Sequence, residues 1–246
     1  MAVIDARLEW LYRLAQVSAG WLEHWRGTYL TLPAGCGFGG GRLCPGNYAN
    51  TQHNSHLINE VLKDPAVQCV AHFIDAGLLA FQPKLHSFLS NLLEKILLDN
   101  PDIVRMFNGC CYGACHFNLH SASTRNHKDF FNILFAMCAV YSSGEFDHMC
   151  GGHFIAWSLS IVSQFPAGSA IFIPSAPVTH ANTLIAAHKW HSSMAFFTLS
   201  GLGQWYQNGY MADKEFKEHA SPMQLQAWKK QCEDLWETGL ELLHYD

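Results

Sequence analysis

The spacing of apolar residues changes character once, at Asn100-Pro101-Asp102, and this break constrains the fold of the 246-residue chain more than any other feature. Before it the spacing is helical. Leu8, Leu11, Tyr12, Ala15 and Ala19 share one face within residues 5–19. A short helix is expected over His56–Leu62, a longer one from Val67 to Phe81, and a third over Leu85–Leu98 with one continuous leucine-rich stripe. After Asp102 come short strand-like runs separated by Gly, Pro, Asn and Ser, continuing to about Tyr206. They fall at 103–107, 111–119, 130–141, 153–162, 169–174, 182–187 and 193–199. Helices followed by seven such runs predict an α+β chain built on a β-barrel or jelly roll.

The length suits a single domain over 1–246: a helical part over about 1–100, the jelly-roll core over about 103–207 and a C-terminal helix over about 221–244. Ser221-Pro222 supplies that helix with a cap and a first-turn proline. Its stripe of Leu225, Trp228, Cys232 and Leu235 is read as docking on the parent domain rather than pairing with a second copy. Residues 27–50 are rich in Gly and Pro and carry no periodicity, which suits a lid or pocket wall as well as a solvated loop.

Apolar residues make up 49% of the chain, enough for a large core. A net charge of −5 gives no counterion-release drive toward DNA, so duplex nucleic acid is not an expected partner. The N-terminus lacks the plan of a signal peptide, and no run of 18 apolar residues offers a membrane span. Nine cysteines without an export signal read as reduced thiols, hence a cytoplasmic protein, with the nucleus as the alternative.

The chemistry concentrates at His127-Lys128-Asp129 and at His180, fifty-one residues beyond Asp129. H-x-D at one strand end, with a lone His arriving on a returning strand, is how a jelly roll presents two imidazoles and a carboxylate to one face of Fe(II). The remaining positions stay open for O2 and a cosubstrate. A rival cluster stands at Cys110-Cys111, Cys115-His116 and His120, where Cys111, Cys115 and His120 have the ligand types of a zinc site but lack its second pair. In strand alternation, Tyr112, Ala114, His116, Asn118 and His120 share a face, so Asn118 and His120 are candidate contacts to substrate or cosubstrate if that face lines the barrel.

Further motifs accompany the triad: Gly39-Gly40-Gly41 with Cys44-Pro45-Gly46-Asn47, Phe117-Asn118 before Thr124-Arg125-Asn126-His127-Lys128-Asp129, and Phe146-Asp147 before Gly151-Gly152. Next come Phe165-Pro166-Ala167-Gly168-Ser169, Ser175-Ala176 before His180-Ala181-Asn182, and Ser200-Gly201-Leu202-Gly203-Gln204-Trp205. In this order, from about Arg26 to Met211, the chain resembles the TET/JBP-like Fe(II) and 2-oxoglutarate oxygenases of the mushroom type. The resemblance implies a double-stranded β-helix with His127, Asp129 and His180 as Fe(II) ligands.

One position departs from that pattern. The family holds the far carboxylate of 2-oxoglutarate with an Arg two residues before a Ser, in the strand after the distal His, because guanidinium matches carboxylate bidentately. Aligned on Ser193, that place is His191, and no Arg follows Arg125 anywhere in the chain. Lys189 shares the facing of 191 and substitutes if the strand extends that far back. The expectation is an Fe(II)-dependent oxygenase acting on a small organic metabolite, with 2-oxoglutarate dependence weakened or lost. Its alternatives are a conventional Fe(II)/2-oxoglutarate dioxygenase acting on a methylated nucleobase or small molecule, and a catalytically silent metal-binding barrel.

Overall fold

The structure is a computed structural model that describes residues 2–244, with only the backbone at Ala19 and Gly20. Its N-terminal helices are α1 (Ala2–Leu14) and the short α2 (Ala19–Leu22). They lead into a hairpin, β1 (Glu23–His24) and β2 (Gly27–Thr28), and then β3 (Leu30–Gly37) and β4 (Gly46–Asn47). Three helices follow: α3 (Gln52–Lys63), α4 (Pro65–Phe81) and α5 (Pro83–Asp99). Their punctuation is local. Thr51 caps α3 by accepting from the Asn54 amide, and Asp64 caps α4 by accepting from Ala66, with Pro65 in the first turn. The Asp64 carboxylate also pairs with Arg7 at 2.6 Å, which ties α1 to the α3–α4 junction.

The core strands are β5 (Ala114–Leu119), β6 (Cys138–Glu145), β7 (Phe154–Ala156), β8 (Ile161–Ser163), β9 (Ala170–Ile173), β10 (His180–Asn182) and β11 (Trp190–Phe197). They form a six-stranded antiparallel sheet in the order β4-β3-β5-β11-β6-β9 and a three-stranded sheet β10-β7-β8. An isolated bridge between His127 and His180 adds the metal-candidate segment to the smaller sheet's edge. Four short helices close the chain: α6 (Ser200–Gln207), α7 (Asp213–His219), α8 (Pro222–Glu233) and α9 (Leu235–Leu243).

Strand alternation decides what each face of the large sheet meets. Leu32, Phe117, Ala139, Met194 and Phe196 point outward and pack with Leu8, Ile74, Leu78 and Leu89 of the helices. Phe117 and Phe196 are fully buried there, and each contributes about 1.5–3 kcal/mol by leaving water. The opposite face looks into the barrel. Cross-strand register lines up Thr31, Asn118, Ser193 and Ser142 in one inner row, and Pro33, His116, Ala195 and Val140 in the next.

Several sequence expectations change in detail. Residues 30–37, expected to be part of a turn-rich segment, are a full strand of the main sheet. Pro33 and Gly35 disguise it, because both are depleted in strands. Pro33 is tolerated because β4 pairs only with Cys36 and Gly37, so no strand needs an N–H from residue 33, and its carbonyl accepts from Asn50 Nδ2 at 2.9 Å. Residues 103–107 and 130–137 are not strands, and 200–207 is helical. The expected C-terminal helix is two helices that meet at Asp234. The Ser221 cap is a full capping box with Gln224. Helix α9 docks on the core, with Gly239 so close to Phe135 that a Cβ there would lie 2.5 Å from it, whereas α8 buries no residue. Among the described residues no helix is long and apolar enough to cross a membrane. All nine cysteines are unpaired.

Candidate active site

His127 and His180 face each other across their β-bridge, with ring centroids 4.2 Å apart. Both are nearly buried. Each ring uses Nδ1 in the same way: His127 bonds the Arg125 carbonyl at 2.8 Å, and His180 bonds the Val178 carbonyl at 2.9 Å. A carbonyl only accepts, so Nδ1 carries the hydrogen and Nε2 is the outward nitrogen of both rings. The two Nε2 atoms then address the two oxygens of Asp129, each at 3.7 Å. Burial, reinforced by the neighbouring His180, holds His127 down at about 4, so its Nε2 is a lone pair at neutral pH. Lone pairs converging on a carboxylate call for a cation between them. The ligand-type atoms of His127, Asp129 and His180 lie within 4.8 Å of one another, and this donor set fits a divalent ion with a free face.

The two-residue turn between β1 and β2 adds the next side chains. Its Trp25 packs edge-on against His127 at 5.4 Å, and its Arg26 brings Nη1 to 3.7 Å from Asp129 Oδ1. The Arg26 Nη2 donates to His116 Nδ1 at 3.2 Å. These residues open onto a cavity of about 490 Å3 walled by Phe38, Tyr48, Cys138, Ala195 and Phe197, with Phe130 and Phe131 beside Asp129. Phe130 and Phe131 are 74% and 75% exposed, so the start of the run expected as a strand over 130–141 instead presents two bare aromatics at the cavity. Gly37, Gly39 and Gly40 of the glycine-rich segment form another part of the wall. The Arg42 Nη1 holds that segment by donating to the carbonyls of Gly37, Gly46 and Asn47.

The residues singled out beside the triad are distributed differently. Asn118 and Ser193 do face the barrel and bond each other at 3.1 Å, and the Thr31 hydroxyl donates to Asn118. His191 is sealed in: its Nδ1–H donates to the Ala122 carbonyl at 2.8 Å, leaving Nε2 as an acceptor 3.3 Å from the Ser142 hydroxyl. Burial holds His191 at about 4, so the neutral ring has no donor left for a carboxylate. Strand β11 begins at Trp190, and Lys189 lies outside it, paired at 2.6 Å with Glu145 on the surface. His120 leaves the alternation of β5, which ends at Leu119; with φ of 68° it turns outward to stack on Tyr12 at 4.3 Å.

The cysteine-rich rival is not assembled as the sequence suggested. Cys115 faces the helices and His120 lies on Tyr12, while Cys111 joins Asp75 and His86: the Asp75 carboxylate accepts from the Cys111 amide and bonds the His86 ring. Sequence reasoning missed Arg26 and His116 as site residues. Trp25-Arg26-Gly27 carried a faint signal as a tight turn, and His116 lay on the strand face already picked out by Asn118.

No protein-family model and no curated protein matches this chain. Among solved structures, NgTET1 in complex with 5mC DNA is 15% identical, with 81% of this chain and 69% of that one covered and a TM-score of 0.59. A 2OG-Fe(II) oxygenase-family oxidoreductase from Burkholderia pseudomallei is 18% identical over 78% of this chain and 77% of its own, with a TM-score of 0.39. A dioxygenase for auxin oxidation in rice is 12% identical over 81% and 70%, with a TM-score of 0.32. The first of these carries the comparison, and it is one of fold. This chain has the TET-like double-stranded β-helix fold, with a His-Asp-His cluster at its mouth.

Proposed function

We propose that this protein is a mononuclear non-heme Fe(II) oxygenase acting on a small organic molecule, with 2-oxoglutarate dependence weakened or lost. The observation that carries the reading is the convergence of two imidazole Nε2 atoms on both oxygens of Asp129 beside an aromatic-walled cavity. Bound Fe(II) would supply the activation of O2 needed to oxidise a C–H or C=C bond. The chain's own part is positioning. Arg125 and Val178 carbonyls fix the two rings, Trp25 covers His127, and the aromatic wall lines the space beside the reacting centre. The altered cosubstrate use rests on His191, whose ring is already occupied at both nitrogens.

Anaerobic purification is expected to give about one Fe(II) per chain. Asp129→Ala and His180→Ala should each lose the iron while their circular dichroism stays that of the parent. Full iron occupancy in the double variant would sink the reading. Succinate release coupled one-to-one to product, at micromolar half-saturation by 2-oxoglutarate, would remove the cosubstrate part alone.

A second reading draws on the neighbour bound to 5mC DNA: oxidation of a methylated nucleobase by this chain. It needs the base to leave its stack and enter the cavity, and a cationic surface to hold the backbone. Turnover of a 5-methylcytosine duplex in preference to free organic acids would favour it.

A further inference from the structure

Arg26 and His116 form a matched pair that the triad does not need. Arginine can only donate, so the 3.2 Å contact from Arg26 Nη2 makes His116 Nδ1 an acceptor and puts the ring hydrogen on Nε2. Burial, with Arg26 beside it, keeps this ring neutral by pulling it down to about 3. His116 Nε2–H is therefore a donor, and it finds no acceptor among the described residues although its nitrogen is shielded from solvent. The Nε–H of Arg26 is in the same condition. Both residues line the cavity. Two buried donors without acceptors are costly, on the order of 1–3 kcal/mol each, unless a ligand supplies the oxygens.

The cavity's balance of charge gives the sign of that ligand. Arg26, Arg42 and Lys128 line it against the single carboxylate of Asp129, which faces the metal position. Its shape gives the body. Phe38, Phe130, Phe131 and Phe197 offer only ring faces and edges, and Trp25 and Tyr48 add two more rings that each carry a single polar group. An unbranched di-acid matches such a wall poorly, whereas a flat apolar molecule with one carboxylate matches both features.

We propose that Arg26 Nε and His116 Nε2 are the carboxylate receptor of the cavity, and that its ligand is a planar aromatic acid. This names the substrate class of the site and rests on the oxygenase reading for its catalytic meaning, but not for the binding itself. The two inner histidines hold opposite tautomers, each set by its protein neighbour. His116 has its Nε2–H free to donate, while His191, one row beyond Ser193 on the neighbouring strand, has its only N–H committed to Ala122.

The test is calorimetric titration of the anaerobic, iron-supplied protein with 2-naphthoate, 2-naphthamide and 2-oxoglutarate, with iron content measured on the same samples. Naphthoate should bind at least about tenfold more tightly than its neutral amide, because only the carboxylate accepts charge-assisted bonds. Arg26→Met should weaken naphthoate by about thirtyfold or more and leave the amide within about threefold, and His116→Phe should do the same more mildly. Equal affinity for acid and amide in the unaltered protein overturns the receptor, whatever the variants do. Tighter binding of 2-oxoglutarate than of naphthoate overturns the aromatic assignment. Iron content fails or succeeds separately, so absent iron with naphthoate bound through Arg26 removes the oxygenase reading and keeps the receptor.

Discussion

At the scale of single residues, the molecule turns on which nitrogen of each histidine carries the hydrogen. His127 and His180 give Nδ1–H to carbonyls and turn Nε2 toward Asp129, whereas His116 accepts at Nδ1 and donates at Nε2. His191 has neither nitrogen free, and this governs what its replacement does. His191→Arg puts a permanent cation beside Phe146 and Ser142, in a position that is 1% exposed. An uncompensated buried charge costs about 3–5 kcal/mol, so urea unfolding should show a large drop in midpoint and no tighter 2-oxoglutarate binding. A variant as stable as the parent that also binds 2-oxoglutarate tightly would restore the lost-fork view of this position.

The same residue sets an acid limit. Its folded value of about 4 lies below the ordinary 6.5, so the unfolded chain binds the proton first and stability falls as pH drops from 6.5 toward 4. Above 6.5 the contribution is flat. The full difference is about 3 kcal/mol, at roughly 1.4 kcal/mol per unit. His116 and His127 act in the same direction, so the informative quantity is a comparison. Unfolding free energy measured from pH 7.5 to 4.5 should fall less steeply in His191→Gln than in the parent. Parallel slopes would mean that the ring is not held neutral by burial.

At the scale of elements, short connections aim the site and helices hold the sheet. Asp5 of α1 accepts from both the Ser143 hydroxyl (2.6 Å) and the Gly144 amide (3.1 Å) of β6, which fastens the first helix to the back of the large sheet. Asp5→Ala leaves two donors unmatched and should cost about 2–3 kcal/mol in chemical denaturation, with iron binding retained because β6 meets the metal site only through the barrel interior. A loss below about 0.5 kcal/mol would mean that α1 is held by its apolar face alone. Glycine is needed at two connections. Gly168 takes φ of +86° in the turn before β9, as its place after Pro166-Ala167 suggests. At Gly201, in the first turn of α6, a Cβ would stand 2.2 Å from the Phe38 carbonyl on the cavity wall.

At the scale of the whole molecule, charge separates the two substrate classes. The net charge is −5, and the cations at the cavity are few. Binding to a 5-methylcytosine duplex at physiological salt should therefore be weak, with a shallow dependence of affinity on salt. Fluorescence anisotropy over 50–200 mM salt measures this, and tight binding with a steep slope would favour the nucleobase reading over the small aromatic acid.

The amino-acid sequence determined the elements whose rules are local. Apolar residues at helical spacing set α4 and α5, Thr51, Asp64 and Ser221 set helix starts, and the spacing of His127, Asp129 and His180 marked the candidate metal cluster. It did not reveal β3, because Pro33 and Gly35 violate strand propensity and are held in the sheet by pairing with β5 on one side and by bonds from Tyr48 and Asn50 on the other. Nor did it show that His120 leaves its strand, since the cost of a left-handed residue, about 1–2 kcal/mol, is offset by stacking on Tyr12, a ring that only folding brings beside it. Above all, Arg26 and His116 stand ninety residues apart and meet only after the hairpin turn closes over the barrel. The pattern of side chains fixes where strands and helices start, whereas the direction of a hydrogen on an imidazole is set by whichever group folding brings beside it.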